Sequence, residues 1–283
     1  MNALILIAAI VVGTWNGNWF PSGRAEHRAH PAVEEATISA AAEMLASGLA
    51  TVDPAGTNDV ILCLNEIRGP KVASNLVQRI GRKGLRVVAI SGYRRRDRFD
   101  QQQDVIATTL PTVDPGWHKF SNAGEETPPR GYVYAGVIVS PTVTAEVYAV
   151  HLKSNYGGRK PEAVRLNRIK RTRAIKELTE AEDARGGRGS YAIVAGDLNA
   201  DKWKAEFSEE EIFHLLEDAG YLNLLQLLPP RSRGTHPSRT YGDSALDYVF
   251  ARRFDSVARP RIIPNEKLSD HCAFLTVLSP VTD

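Results

Sequence analysis

The sequence predicts a single α/β (α+β) domain in which two mixed β-sheets pack together and helices lie outside them. Three observations predict it. Short apolar runs of strand length outnumber the helical stretches. These runs are joined both by turns and by helix-length crossovers, which calls for antiparallel and parallel neighbours in one sheet. No internal repeat, low-complexity tract or long linker divides residues 1–283, so they are read as one domain.

In chain order, the continuously apolar Met1–Val12 is read as the first core strand. It is shorter than a membrane span. The first basic residue is Arg24, so the charged start of a secretion signal is missing, and the run leads straight into Gly13-Thr14-Trp15-Asn16-Gly17-Asn18. A signal-like beginning, and with it secretion, is the alternative; localisation is left open. Pro31–Ala50 is a helix, with apolar or small residues at Val33, Ala36, Ala40, Met44, Leu45 and Leu49. Asp59–Leu64 is a buried strand ending at Asn65-Glu66, and Pro70–Gly81 a helix with Pro70 in its first turn. Strand Leu85–Ile90 leads into the basic loop Ser91–Arg98.

Further strands are expected at Gln103–Thr108, Tyr132–Val139 and Val143–Leu152, with the Pro/Gly-rich Pro111–Gly131 as a connection. Pro161–Ala184 is a long helix and Arg185–Ser190 a return. Tyr191–Ala195 is a buried strand that Gly196 lets the backbone leave. Helix Glu209–Ala219, a short strand near Tyr221–Leu224, loop Pro229–Gly242 and strands Leu246–Ala251 and Cys272–Leu278 complete the chain.

Composition narrows the function. With 43% hydrophobic and 24% charged residues the chain is an ordinary globular protein. A formal net charge of +2 announces no nucleic-acid partner by itself, so a positive patch must come from local clustering. Two cysteines, Cys63 and Cys272, exclude a disulfide scaffold and a cysteine-rich zinc site; both lie in apolar runs and are read as buried thiols.

The chemistry lies where apolar runs meet polar residues. Tyr191–Asp201 reads YAIVAGDLNAD, with Asp197 and Asn199 two apart just past a strand. Alone, Asp-x-Asn is an ordinary turn. The same pattern recurs at Asn16, at Glu66, at His151 in YAVHLKSN, at Asp247 in ALDYVF and at Asp270-His271 in LSDHCAF. Carboxylates gathered from distant stretches at sheet ends suit Mg²⁺, which takes oxygen ligands and needs only one or two protein carboxylates beside a phosphate. A His beside an Asp is an acid/base arrangement. No nucleophilic Ser or Cys motif stands out.

The ordered set TWNGN, LNEIRG, HLKSN, GDLNA, LDYVF and SDHCAF, spanning Thr14 to Phe274, resembles the endonuclease/exonuclease/phosphatase family. Asn65 is a departure, since the family most often has Gln before the metal-binding Glu. The resemblance implies a DNase I-like four-layer sandwich of two packed mixed β-sheets flanked by helices. It implies Glu66 as the principal Mg²⁺ ligand, aided by Asn16 and Asp270, with Mn²⁺ or Ca²⁺ as substitutes. It implies His271 as general base or water-orienting group, Asp247 holding its ring, and Asp197 activating or positioning the nucleophile. It implies that Asn199 binds the phosphate and that His151 hydrogen-bonds a phosphoryl oxygen or assists the leaving group. Whether Asp197 or His271 takes the proton is left open. Asn18, Lys153, Asn155 and Arg94 are expected substrate contacts.

The resulting expectation is a phosphodiesterase acting on nucleic acid, monomeric and without a stable protein partner. The alternatives are a phosphatase or phospholipase-type enzyme on a small phosphoester, and a non-catalytic binding member. Two basic stretches bear on this choice: Arg94-Arg95-Arg96 with Arg98, and Arg159-Lys160 continuing through Arg165, Arg168, Lys170, Arg171, Arg173 and Lys176. A solvated helix face is the equally weighted explanation of the second. Trp203 and Trp117-His118 could stack on bases, although tryptophans more often pack.

Overall fold

The computed structural model describes residues 9–23, 30–95, 98–99, 102–155, 160–187, 189–240, 242–265 and 267–281. Residues 1–8 of the predicted first strand, Arg96 and Arg159 lie outside these. The strands are β1 Ile10–Phe20, β2 Asp59–Ile67, β3 Arg86–Ile90, β4 Arg94–Arg95, β5 Arg98–Phe99, β6 Gln103–Thr108 and β7 Thr112–Lys119. They continue with β8 Gly131–Ser140, β9 Val143–His151, β10 Tyr191–Asp197, β11 Leu222–Asn223, β12 Asp247–Arg252, β13 Phe254–Ile263 and β14 Ala273–Pro280. The helices are α1 Pro31–Val52, α2 Pro70–Arg79, α3 Pro161–Gly186 and α4 Ile212–Asp218.

Two six-stranded sheets run β13-β14-β1-β2-β6-β3 and β11-β12-β10-β9-β8-β7, and β4-β5 is a small separate hairpin. Each large sheet contains one parallel pair, β1 with β2 and β9 with β10, among antiparallel neighbours. A parallel pair needs a crossover, and α1 and α3 supply the two.

Alternation along the strands builds the layers. Val11 and Trp15 of β1 and Val60, Leu62 and Leu64 of β2 pack with Ile38, Leu45 and Leu49 of α1 and with α2. Ile10, Val12, Ile61 and Cys63 face the other sheet and meet residues such as Val133, Val147, Ile193 and Val249. Because both faces are covered, these strands read as uninterrupted apolar runs. Helices α3 and α4 close the far side through Ile175, Leu178, Phe213 and Leu216. The result is the expected four-layer sandwich.

Several boundaries differ from expectation. The first strand does not end at Val12; it runs to Phe20, because β2 pairs beside it from Ile10↔Asp59 to Asn16↔Asn65. Pro111–Gly131 contains β7, an edge strand with a mostly exposed pattern that shows no apolar run. The long edge strand β13 was not anticipated for the same reason. In α1, Ala36 and Ala40 are exposed, as is Val33 at 55%, and the buried stripe is instead Ile38, Ala41, Ala42, Leu45, Gly48 and Leu49. Seven alanines give that helix little periodic contrast to read. Helix α4 starts at Ile212, three residues later than predicted at Glu209. Cys63 and Cys272 are buried free thiols, and among the described residues no helix is long and apolar enough to cross a membrane.

Candidate active site

Register alone lines up one wall of the site. In the second sheet Asp197 pairs with His151 on one side and with Asp247 on the other. Residues directly opposite on neighbouring strands share a face, so three polar side chains stand in one row at the end of β9, β10 and β12. In the first sheet Asn16 sits opposite Asn65. Glu66 follows at a break in the ladder, where β2 shifts register against both β1 and β6. Such bulges re-aim a side chain. Glu66 has φ 58°, and Asn18, Trp19 and Asn199 have φ 49°, 56° and 52°. Left-handed backbone at four non-glycine positions around one cleft is costly, and the rest of the fold imposes it.

The two walls are bonded together. Asn16 donates its amide N–H to Asp197 Oδ2 at 2.9 Å and to Glu66 Oε1 at 3.4 Å, and its oxygen accepts the N–H of Asn18 at 2.9 Å. The backbone N–H of Trp19 donates to Glu66 Oε2 at 3.0 Å. Asn199 donates its backbone N–H to Asp197 Oδ1 at 2.8 Å and its side-chain N–H to Oδ2 at 3.1 Å. His151 Nε2 lies 3.6 Å from both Glu66 Oε1 and Asp197 Oδ2. His271 places Nδ1 2.7 Å from Asp247 Oδ2 and Nε2 3.8 Å from Asp197 Oδ2.

The loop carrying His271 is stitched to β1. Ser269 Oγ donates to Asn16 O at 2.7 Å and accepts the His271 N–H at 3.0 Å, while Trp15 Nε1–H donates to His271 O at 3.3 Å. Asp270 is half exposed at the rim, with its oxygens 3.6 Å from His236 Nε2 and 3.8 Å from His271 Nε2. A cleft of about 1530 Å³ opens over these groups, and Asn18, Arg94, Lys153 and Asn155 line it too.

Burial and charge set the proton affinities. Burial raises the Asp197 carboxyl above the ordinary carboxylate range, against the opposing pull of His271. His271 is itself desolvated, which lowers its affinity, but the Asp247 and Asp197 carboxylates outweigh this and push it up to about 10. Burial drives His151 well below its ordinary value, helped by the charge of Arg130, and its Nδ1 has no hydrogen-bond partner. His151 is therefore the neutral imidazole of the pair.

The donor set fits a hard divalent cation. Among the described residues no Lys or Arg lies within ion-pair distance of the buried Glu66 and Asp197. Of these two, His271 faces Asp197 only, and a buried carboxylate such as Glu66 with no Lys or Arg beside it suits a metal cation. Two His/Asp groups, Asp197-Asp247-His271 and His236-Asp270-His271, each hold their ligand atoms within 4.8 Å.

Sequence reasoning missed several participants. Asn65 accepts the Asp197 N–H at 3.1 Å and donates to the buried Asp104 at 2.8 Å, so it ties the two sheets together. Burial pushes Asp104 up to about 7. Thr235 Oγ1 receives the N–H groups of Leu246 and Asp247, both at 3.0 Å. His236 stacks edgewise on His271 with ring centres 4.8 Å apart. Thr235 and His236 lie in a Pro/Arg-rich loop whose only sequence signal was that of a turn. Part of the positive stretch is compensated within the chain: Arg168 pairs with Glu209, Arg173 with Glu126, and the fully buried Arg171 with Glu210. Trp203 stacks on Tyr248 beneath Arg233, whereas Trp117 lines the cleft.

A two-sheet sandwich with an Asp-paired His and a carboxylate–amide cluster at one end is the architecture of the DNase I-like phosphoester hydrolases. The chain belongs to the Endonuclease/Exonuclease/phosphatase family, whose sequence model matches residues 13–271. Among solved structures it is similar to an endonuclease/exonuclease/phosphatase from Beutenbergia cavernae DSM 12333 (TM-score 0.66, 18% identity, 97% of this chain and 72% of that one). It is likewise similar to sphingomyelinase C from Streptomyces griseocarneus (0.60, 17%, 95% and 99%) and to truncated Caenorhabditis elegans TDP2 (0.59, 14%, 96% and 97%). A comparison with curated proteins finds no match.

Proposed function

We propose that the protein is a divalent-metal-dependent phosphodiesterase acting on nucleic acid. The observation that supports this reading is the meeting of Asn16 and Glu66 with His151, Asp197, Asp247 and His271, from two sheets, in one cleft. Glu66, with Asn16 and Asp270, would hold Mg²⁺, with Mn²⁺ or Ca²⁺ as substitutes. Asn16 would offer its amide oxygen by turning the amide that now donates to Glu66. When bound, the cation supplies charge neutralisation at a non-bridging phosphate oxygen.

The chain's own groups do the rest. Asp197, raised by burial and oriented by Asn199, takes the proton of the attacking water. His271, held by Asp247, is cationic at neutral pH and presents Nε2–H to the phosphoryl group as its charge builds. Neutral His151 donates to a second oxygen or to the departing alkoxide, and Asn18, Lys153, Asn155 and Arg94 contact the substrate beyond. Displacement by water needs no covalent intermediate.

The test is a substrate panel of plasmid DNA, structured RNA, an abasic-site duplex, sphingomyelin and inositol phosphates. Each is incubated with Mg²⁺, Mn²⁺, Ca²⁺ or chelator. Nucleic-acid cleavage that chelator abolishes is expected. Head-group or phosphate release without strand cleavage would replace nucleic acid by a small phosphoester, and silence under every metal would leave a binding protein.

A further inference from the structure

We infer that the arm of the cleft beyond His151 is a binding subsite for an unpaired nucleotide next to the scissile phosphate. In it Trp117 stacks on the base, and Arg94 and Lys119 each hold one flanking phosphate. This inference rests on the nucleic-acid reading above and names the form of substrate that site takes. A cleft of about 1530 Å³ exceeds what one phosphoryl group fills, and exceeds the roughly 300–1,000 Å³ of ordinary small-molecule pockets. The cleft therefore has room for more of the substrate than its scissile phosphate.

The aromatic element is preorganised. Trp117 is 41% exposed on the edge strand β7 and lines the cleft. It nevertheless packs edge to face on Tyr93 with ring centres 5.6 Å apart, and its indole lies over Gly92 so closely that a methyl group there would come within 3.0 Å. A ring held on one side and bare on another stacks at little entropic cost. Trp203 has comparable exposure at 39%, but Arg233 lies 4.3 Å from its ring and Tyr248 stacks on it. It is packing; Trp117 is available.

The charges beside Trp117 are also available. Among the described residues the side chains of Arg94 and Lys119 make no hydrogen bond or ion pair, in contrast to Arg168, Arg171 and Arg173 of α3. Arg130, between this arm and the centre, is held by the His151 and Leu152 carbonyls and the Gln102 side chain, and among the described residues it meets no carboxylate in an ion pair. An unspent guanidinium and ammonium next to an accessible indole is the pairing that single strands require, a phosphate grip with a stacking platform. A duplex keeps its base faces covered, so the arm selects an unpaired nucleotide.

The arm is registered to the reacting centre through bonds. Tyr93 Oη donates to Asp104 at 3.2 Å, and Asp104 accepts from Asn65 beside Glu66. Arg130 donates through Nε to His151 O at 3.3 Å. A base seated on Trp117 is thus held in fixed relation to the scissile phosphate.

The experiment measures binding of a labelled short single-stranded oligonucleotide to the full chain in chelator, so that no turnover enters. Trp117→Ala should weaken binding roughly 5- to 150-fold, the range of one lost stacked base, while Trp117→Phe, which keeps a ring, should recover most of it. Arg94→Ala/Lys119→Ala should reduce the slope of log affinity against log salt by about 1.4, as two lost single-strand phosphate contacts do. A blunt duplex of the same sequence should bind more weakly and respond less to Trp117→Ala. Wild-type affinity of a folded Trp117→Ala, or an equal loss for strand and duplex, overturns the subsite. Trp117-dependent strand binding by a protein that cleaves no nucleic acid would keep the subsite and remove the nuclease activity. Strand cleavage indifferent to Trp117 would do the reverse.

Discussion

Replacing Asp247 with Asn isolates the charge that governs His271. Asp247 is fully buried and its Oδ2 lies 2.7 Å from His271 Nδ1, so the isosteric amide can keep an acceptor there while removing the charge. The gap between an ordinary imidazole near 6.5 and about 10 corresponds to about 5 kcal/mol, against the opposing cost of burying the ring. Asp247 is the largest favourable contributor, ahead of Asp197 and Asp270. Because the folded affinity is raised, this stabilisation is complete below pH 6.5 and disappears as pH rises through 10. The variant lacks most of it, so its unfolding free energy should change less between those limits, by on the order of 3 kcal/mol. Urea unfolding of both proteins across this pH range, in chelator, measures the difference. Turnover should fall about 10²- to 10⁴-fold, since His271 becomes neutral near pH 7. An unfolding free energy with the wild-type pH slope, or turnover within twofold of wild type, refutes the assignment.

Two further substitutions probe how the site is built. Gly196→Ala should cost about 3 kcal/mol or more, because φ is +144° and the new Cβ would sit 1.9 Å from the Val150 carbonyl oxygen; a urea midpoint like that of wild type would show that β9 and β10 can separate freely. Arg171→Met should destabilise by about 3–5 kcal/mol by leaving Glu210 buried and unpaired, and the Arg171→Met/Glu210→Leu pair should recover most of this. The double variant should still show a raised KM, because Arg171 also holds Lys153 O at 2.7 Å and Asn155 Oδ1 at 3.1 Å; a wild-type KM would mean that the loop after His151 positions itself.

Legibility in the sequence followed burial. Strand Gln103–Thr108 was readable to the residue because both its faces are covered, and the six polar clusters were visible because each interrupts or closes such a run. Edge strands β7 and β13 were not, since a half-solvated strand needs no apolar signature. The arginines of α3 were equally readable as a phosphate-binding run or a solvated face, yet Arg171 is neither and turns inward to Glu210, a partner 39 residues away. Asn65, read only as a departure from the family pattern, joins the two sheets through Asp104 and the Asp197 backbone.

The sequence by itself determined which groups could do chemistry, since residue types and their places at the ends of apolar runs are local facts. Tertiary structure decided which of them share a proton, which cations remain unspent and which tryptophan is bare. Those properties depend on distance and desolvation between residues as far apart as Trp15 and His271, and chain order does not encode such distances until two sheets have packed.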